Sequence, residues 1–180
     1  MKKIVLILVA ALFAVVAEAG AVKWTTLNVF APDGTKSSNI GYLFAETGDV
    51  SKSAVAAILA GSDSAAAASY FAANSINNVT PTTAGTFTSA ATDYTAGTYS
   101  FFAVIFDGAN VADSSNYFIT SVVSKAVPAS GTATVSFGNL SAATSAAGAY
   151  TSAGWATPEP TSGMLLLLGG ALLALRRKRK

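Results

Sequence analysis

The sequence predicts a mainly β protein: an antiparallel β-sandwich or jelly-roll-like domain with a short helical segment, flanked by an N-terminal signal peptide and a C-terminal single-pass helix. Three observations carry that expectation. Short apolar runs of β type recur through the middle of the chain, punctuated by Gly, Pro, Asn and Asp clusters. A single region has helical spacing instead. Both ends combine an apolar block with a cluster of positive charge.

The run from Thr98 to Phe106 is apolar on both alternating faces and ends at Asp107-Gly108, a turn signal, so it reads as a central strand. Asn116 to Val123 is a second β-type run. Thr132 to Phe137 alternates cleanly, with Ala133, Val135 and Phe137 on the inward side and hydroxyls on the other. Lys23 to Phe30 and Ile40 to Ala45 are weaker strand candidates. From Ser51, a plausible N-cap, Val55, Ile58 and Leu59 fall at helical spacing as far as Gly61. The alanine-rich stretch from Ser64 to Ala73 extends the helical region. Ala91 to Gly97 and Ser141 to Gly154 are small and polar and read as loop and linker. The organisation is then a signal peptide over 1–21, a β-rich passenger over 22–140, a flexible linker over 141–157 and a separate tail over 158–180.

The formal charge of +2 over 180 residues hides an asymmetry, because the basic residues gather at the two ends. Between Val22 and Pro160 there are four lysines against eight acids, a net charge of −4. Such a passenger has no basic face with which to neutralise phosphates, so nucleic acid is excluded as a partner. The stretch from Val22 to Pro160 holds seventeen of the eighteen aromatic residues, more than a disordered spacer carries. The chain has no cysteine, so the fold must rest on its core alone.

At the N-terminus, Lys2 and Lys3 precede a thirteen-residue apolar run from Ile4 to Val16. That length suits a signal-peptide core and falls short of the ~20 residues that span a bilayer. Ala17-Glu18-Ala19 permits cleavage before Gly20, and Ala19-Gly20-Ala21 permits cleavage before Val22.

The tail has three parts. Pro158-Glu159-Pro160 excludes helix and favours an extended, accessible segment that a peptidase can grip. The apolar block Met164 to Leu175 is twelve residues. As a helix it is roughly 18 Å long, against about 30 Å of hydrocarbon. Arg176, Arg177, Lys178, Arg179 and Lys180 then resist translocation and hold that end on the cytoplasmic side, so the whole acts as a stop-transfer. These residues resemble the PEP-CTERM sorting signal: a Pro-Glu-Pro tripeptide, a short transmembrane stretch and a basic end. The resemblance implies recognition of Pro158, Glu159 and Pro160 by an exosortase, a membrane-embedded cysteine peptidase-like enzyme often encoded with exopolysaccharide biosynthesis. Signal peptidase and exosortase are then the processing partners, and residues 164–175 the membrane contact. Retention of the tail as a permanent anchor stays open beside cleavage. A GPI-type tail would end in apolar residues and does not fit.

Chemistry elsewhere is sparse. With neither histidine nor cysteine, a Ser-His-Asp triad, a Cys-His pair and ordinary zinc sites have no residues to draw on. No Gly-rich phosphate loop is present. A carboxylate pair remains formally possible, with Glu46, Asp49 and Asp107 as candidates, yet their spacing selects no two of them. Asp107, Asn110 and Asp113 place oxygens at positions one, four and seven of a loop, which does not match a calcium loop and reads as a strand-ending turn. Trp24, Trp155 and several tyrosines could form a sugar-binding face, although core packing is the ordinary role of such residues. Asn78-Val79-Thr80 and Asn139-Leu140-Ser141 are sequons.

The expectation is therefore an exported, exosortase-processed, non-enzymatic surface or extracellular matrix protein associated with exopolysaccharide. It would be membrane-associated during sorting, then located in the envelope or outside the cell, with no cofactor and no metal. The alternative is a secreted carbohydrate-binding module with an exposed aromatic strip. A hydrolase using two carboxylates trails both.

Overall fold

A computed structural model describes residues 19–61, 63–144 and 155–156. The residues before Ala19, where the sequence predicts a signal peptide, and the tail after Ala156 lie outside the described residues. Two β-sheets face each other, and a helical layer covers the outer side of the second.

The first sheet is organised around β1 (Ala19–Leu27). Its start pairs antiparallel with β5 (Thr92–Thr95) and its end with β4 (Phe87–Thr88). On the opposite edge β9 (Thr132–Asn139) runs parallel to it. That pair departs from the purely antiparallel sandwich that the sequence predicts. The cause is topological: the chain crosses the second sheet between β5 and β9, so β9 returns in the direction of β1. Along β1, Val22, Trp24 and Thr26 are buried while the residues between them are more exposed, the two-residue period of a half-buried strand.

The second sheet runs β3 (Asn77–Val79), β2 (Gly41–Ala45), β6 (Gly97–Phe106), then β7 (Tyr117–Ile119) and β8 (Val123–Val127) along the far edge of β6. A last short strand, β10 (Trp155–Ala156), adds to β7. Both faces of this sheet are covered, which is why β2 and β6 are apolar without alternation. Leu43, Ala45, Phe101, Ala103 and Ile105 point between the sheets with Val22, Trp24 and Val135. Tyr42, Phe44, Phe102, Val104 and Phe106 point to the other side, beneath α1 (Lys52–Ala60) and α2 (Ser64–Asn74).

Each helix begins where a side chain satisfies a free N–H group. Ser51 Oγ accepts from Ala54 N at 3.1 Å, and Asp63 Oδ1 accepts from Ala66 N at 2.8 Å. The helices are short and alanine-rich, so tertiary contact must hold them. Val55 and Leu59 of α1 and Ala67 and Phe71 of α2 are buried against the sheet, and Phe71 is the largest of them. Its ring lies edge-on to Tyr42, Phe44 and Phe106, with centroids 5.1, 4.9 and 5.3 Å away. Among the described residues no helix is long and apolar enough to cross a membrane.

Several sequence boundaries shift. The run 116–123 is two strands, broken at Thr120. The stretch 91–97, read as loop, contains β5, an edge strand of alternating half-buried and exposed polar residues with no apolar signature. Residues 19–21, inside the span assigned to the signal peptide, form the start of β1. Within the span assigned to the linker lie β10 and α3 (Ser141–Thr144). Thr144 is fully buried; its Oγ1 accepts from Phe30 N at 3.1 Å and donates to Leu140 O at 2.9 Å.

Candidate functional site

Glu46 and Asp107, two of the carboxylates singled out from sequence, lie too far apart to work as a pair. Glu46 follows the end of β2, and Asp107 follows the end of β6. Because β2 and β6 are antiparallel, with Gly41 opposite Ile105 and Ala45 opposite Phe101, these residues sit at opposite ends of the sheet. Six residues of strand separate them, roughly 20 Å at the β rise, against the ~5–9.5 Å that glycoside hydrolysis requires. Glu46 Oε1 accepts from Lys52 N at 3.3 Å at the base of α1. Asp49 is exposed on the turn between them.

Asp107 is occupied by its own loop. Its Oδ1 accepts from Ser115 N at 2.9 Å and Asn116 N at 2.8 Å, and its Oδ2 accepts from Asn116 Nδ2 at 2.6 Å. Asn110 Oδ1 accepts from Asp113 N at 3.0 Å, and Asn110 Nδ2 donates to the Asp113 carboxylate. The three oxygen-bearing residues therefore turn toward N–H groups and staple the β6–β7 connection. Among the described residues no three acidic side chains gather to hold a metal ion.

A cleft of about 230 Å³ opens beside this loop, with Asp33, Lys36, Ser38, Asn39 and Asp107 among its lining residues. Its polar groups also serve the fold. Asn39 Nδ2 donates to Asp107 O at 2.5 Å, and Asp33 Oδ1 accepts from both Thr35 Oγ1 at 2.7 Å and Thr35 N at 2.8 Å. Those two bonds favour the ionised form and hold the Asp33 carboxyl below its ordinary value.

The aromatic residues are likewise structural. Trp24 is fully buried, stacked on Phe87 at 5.7 Å and edge-on to Phe137 at 6.1 Å. Gly41 makes room for it: a Cβ there would stand 2.8 Å from Trp24 Cη2. Between Ala19 and Thr144, among the described residues, no aromatic side chain is exposed. Phe30, Tyr70, Tyr94 and Tyr99 are half-buried. Trp155 lies in β10.

The remaining candidates, Pro158, Glu159, Pro160 and the basic residues 176–180, lie outside the described residues. What the structure adds is where the folded chain delivers them. In β10, Trp155 pairs with Phe118 and Ala156 with Tyr117, so the second sheet gains its outermost strand two residues before Pro158. The model of one protein family, described as the PEP-CTERM protein-sorting motif, matches residues 156–180. This chain carries a PEP-CTERM sorting motif. Such a motif marks an exported protein that exosortase targets and that transits the membrane during sorting. No curated protein and no solved structure matches the chain.

The PEP-CTERM match begins at the last residue of β10, so sheet and motif abut. Sequence reading missed that junction because the surrounding stretch is small and polar. The one signal available was Trp155, a large aromatic in a segment otherwise suited to a linker.

Proposed function

We propose that this chain is a non-enzymatic surface or extracellular matrix protein, exported through an N-terminal signal that signal peptidase removes, processed by exosortase, and associated with exopolysaccharide. The observation that carries the proposal is the PEP-CTERM match at residues 156–180. The apolar residues 164–175 pause in the membrane, and the five basic residues keep the end cytoplasmic. Pro158-Glu159-Pro160 is then presented in extended form, just outside the bilayer, to the processing enzyme.

Association with a polyhydroxylated polymer draws support from the outer face of the first sheet. Register sets Thr88, Thr25 and Ser136 side by side across three strands, with Lys23 beside Thr134 in the next row. Thr25 Oγ1 and Thr88 Oγ1 are 3.3 Å apart. Hydroxyl groups in such rows hydrogen-bond to sugars without an aromatic platform. The test is co-sedimentation of the mature protein with exopolysaccharide from the producing cells, compared with a Thr25→Val/Thr88→Val/Thr134→Val variant. Recovery with the polymer that falls several-fold in the variant supports the association. Failure of the wild-type protein to sediment with the polymer refutes it.

A further inference from the structure

We propose that signal peptidase cuts between Ala19 and Gly20, so that the mature chain begins at Gly20 and not at Val22. This rests on the reading of the N-terminus as a cleaved export signal. Two Ala-x-Ala sites are available from sequence, two residues apart, and the fold distinguishes between them.

Residues 20 and 21 are built into the sandwich. Gly20 pairs with Tyr94 and Ala21 with Asp93 of β5, and Ala21 pairs with Thr132 of β9 on the other edge. Ala21 N donates to Gly131 O at 2.9 Å. A cut before Val22 would remove three of the four β1–β5 pairs and leave Val22↔Thr92 alone. A cut before Gly20 forfeits only Ala19↔Thr95.

Gly20 itself is required by packing. It is buried, and a Cβ at this position would stand 1.9 Å from the carbonyl oxygen of Pro128 and 3.1 Å from the Pro128 carbonyl carbon. The obstacle is backbone at the end of β8, so it cannot turn aside as a side chain could. Gly20 thus lets the first strand of one sheet approach the last residues of a strand in the other. If the cut fell before Val22, Gly20 would be the middle residue of Ala-x-Ala, a position that the cleavage motif leaves free. The fold needs glycine there; the motif does not. Ala19, by contrast, is exposed.

The experiment is N-terminal sequencing of the exported protein from cells making the full chain, as wild type and as Ala21→Leu. That substitution blocks the second site and leaves the first intact. The expected start is Gly20 in both. A wild-type start at Val22, or loss of cleavage in Ala21→Leu, overturns the proposal while leaving export by a cleaved signal standing. An exported chain that still begins at Met1 overturns both. A second measurement uses Gly20→Val, whose exported protein should melt lower than wild type by at least roughly 4 °C. An unchanged melting temperature would show that residue 20 is absent from the mature fold and would also overturn the proposal.

Discussion

Thr120 and Ala103 hydrogen-bond to each other twice: Thr120 N donates to Ala103 O at 2.9 Å, and Ala103 N donates to Thr120 Oγ1 at 2.9 Å. Thr120 is fully buried at the break between β7 and β8, where the edge of β6 would otherwise lose a ladder partner. The side-chain hydroxyl stands in for a missing carbonyl. Lys52 Nζ closes the same point from α1 by donating to Thr120 O at 2.7 Å.

Thr120→Val keeps the shape and leaves the Ala103 N–H buried without a partner. The variant passenger should lose about 1–3 kcal/mol in urea unfolding. Thr120→Ser, which retains the hydroxyl, should lose clearly less. A larger loss from Thr120→Ser than from Thr120→Val would mean that packing of the Thr120 methyl, and not this hydrogen bond, is what matters.

Phe71 is the second focal residue. Phe71→Ala removes a fully buried ring that touches three aromatic neighbours and should cost about 3–5 kcal/mol. Tyr70 is half-buried and its hydroxyl reaches Asp49 O only at 3.4 Å, so Tyr70→Phe should cost well under ~1 kcal/mol. Hydrogen exchange should show the amides of α2 losing protection first in Phe71→Ala. A variant whose α2 stays as protected as wild type would contradict the assignment of Phe71 as its anchor.

How far the fold was legible depended on how each strand is buried. The run 98–106 and the alternation at Ala133, Val135 and Phe137 announce strands because burial there leaves a pattern in hydrophobicity. So does the helix from Ser51, whose cap residue and apolar spacing are both explicit. Thr92–Thr95 and Asn77–Val79 leave no such pattern: they are short edge strands, each with a single partly buried apolar side chain, Tyr94 and Val79, against the core. The break at Thr120 is equally silent, since threonine suits a strand interior and its side-chain bond depends on a distant strand. Asp107 was visible as a turn residue, but its partners Ser115 and Asn116 lie eight and nine residues away, across a loop whose closure no local rule gives.

Titration should be quiet near neutrality, because the chain has no histidine and no cysteine. Burial raises the hydroxyls of Tyr42 and Tyr117 above their usual value of 10.0. Folding therefore favours their neutral form, a contribution fully present below pH 10 and lost as pH rises through the raised values. Asp33 is lowered by Thr35, so its contribution is present above its ordinary value of 3.8 and fades as pH falls below it through the lowered one. Melting temperature should be level between about pH 5 and 9 and decline on either side. A steep loss between pH 6 and 8 would contradict this account.

Glu159→Ala should leave the protein longer and membrane-retained if the tripeptide is what exosortase reads. Removal of residues 176–180 should act earlier, weakening retention in the membrane before processing, because the stop-transfer charge is gone. Immunoblots of membrane and secreted fractions separate the two. Processing of Glu159→Ala at the wild-type rate would show that recognition rests elsewhere in the tail.

The central claim is that residues 156–180 are an address which the cell reads and removes. Intact mass spectrometry of the wild-type protein, taken from the envelope and secreted fractions of its own producing cells, tests it most directly. The account predicts a mature chain that has lost its basic end and apolar stretch, and a longer chain in cells without exosortase. Mature wild-type protein that still ends at Lys180 would contradict it.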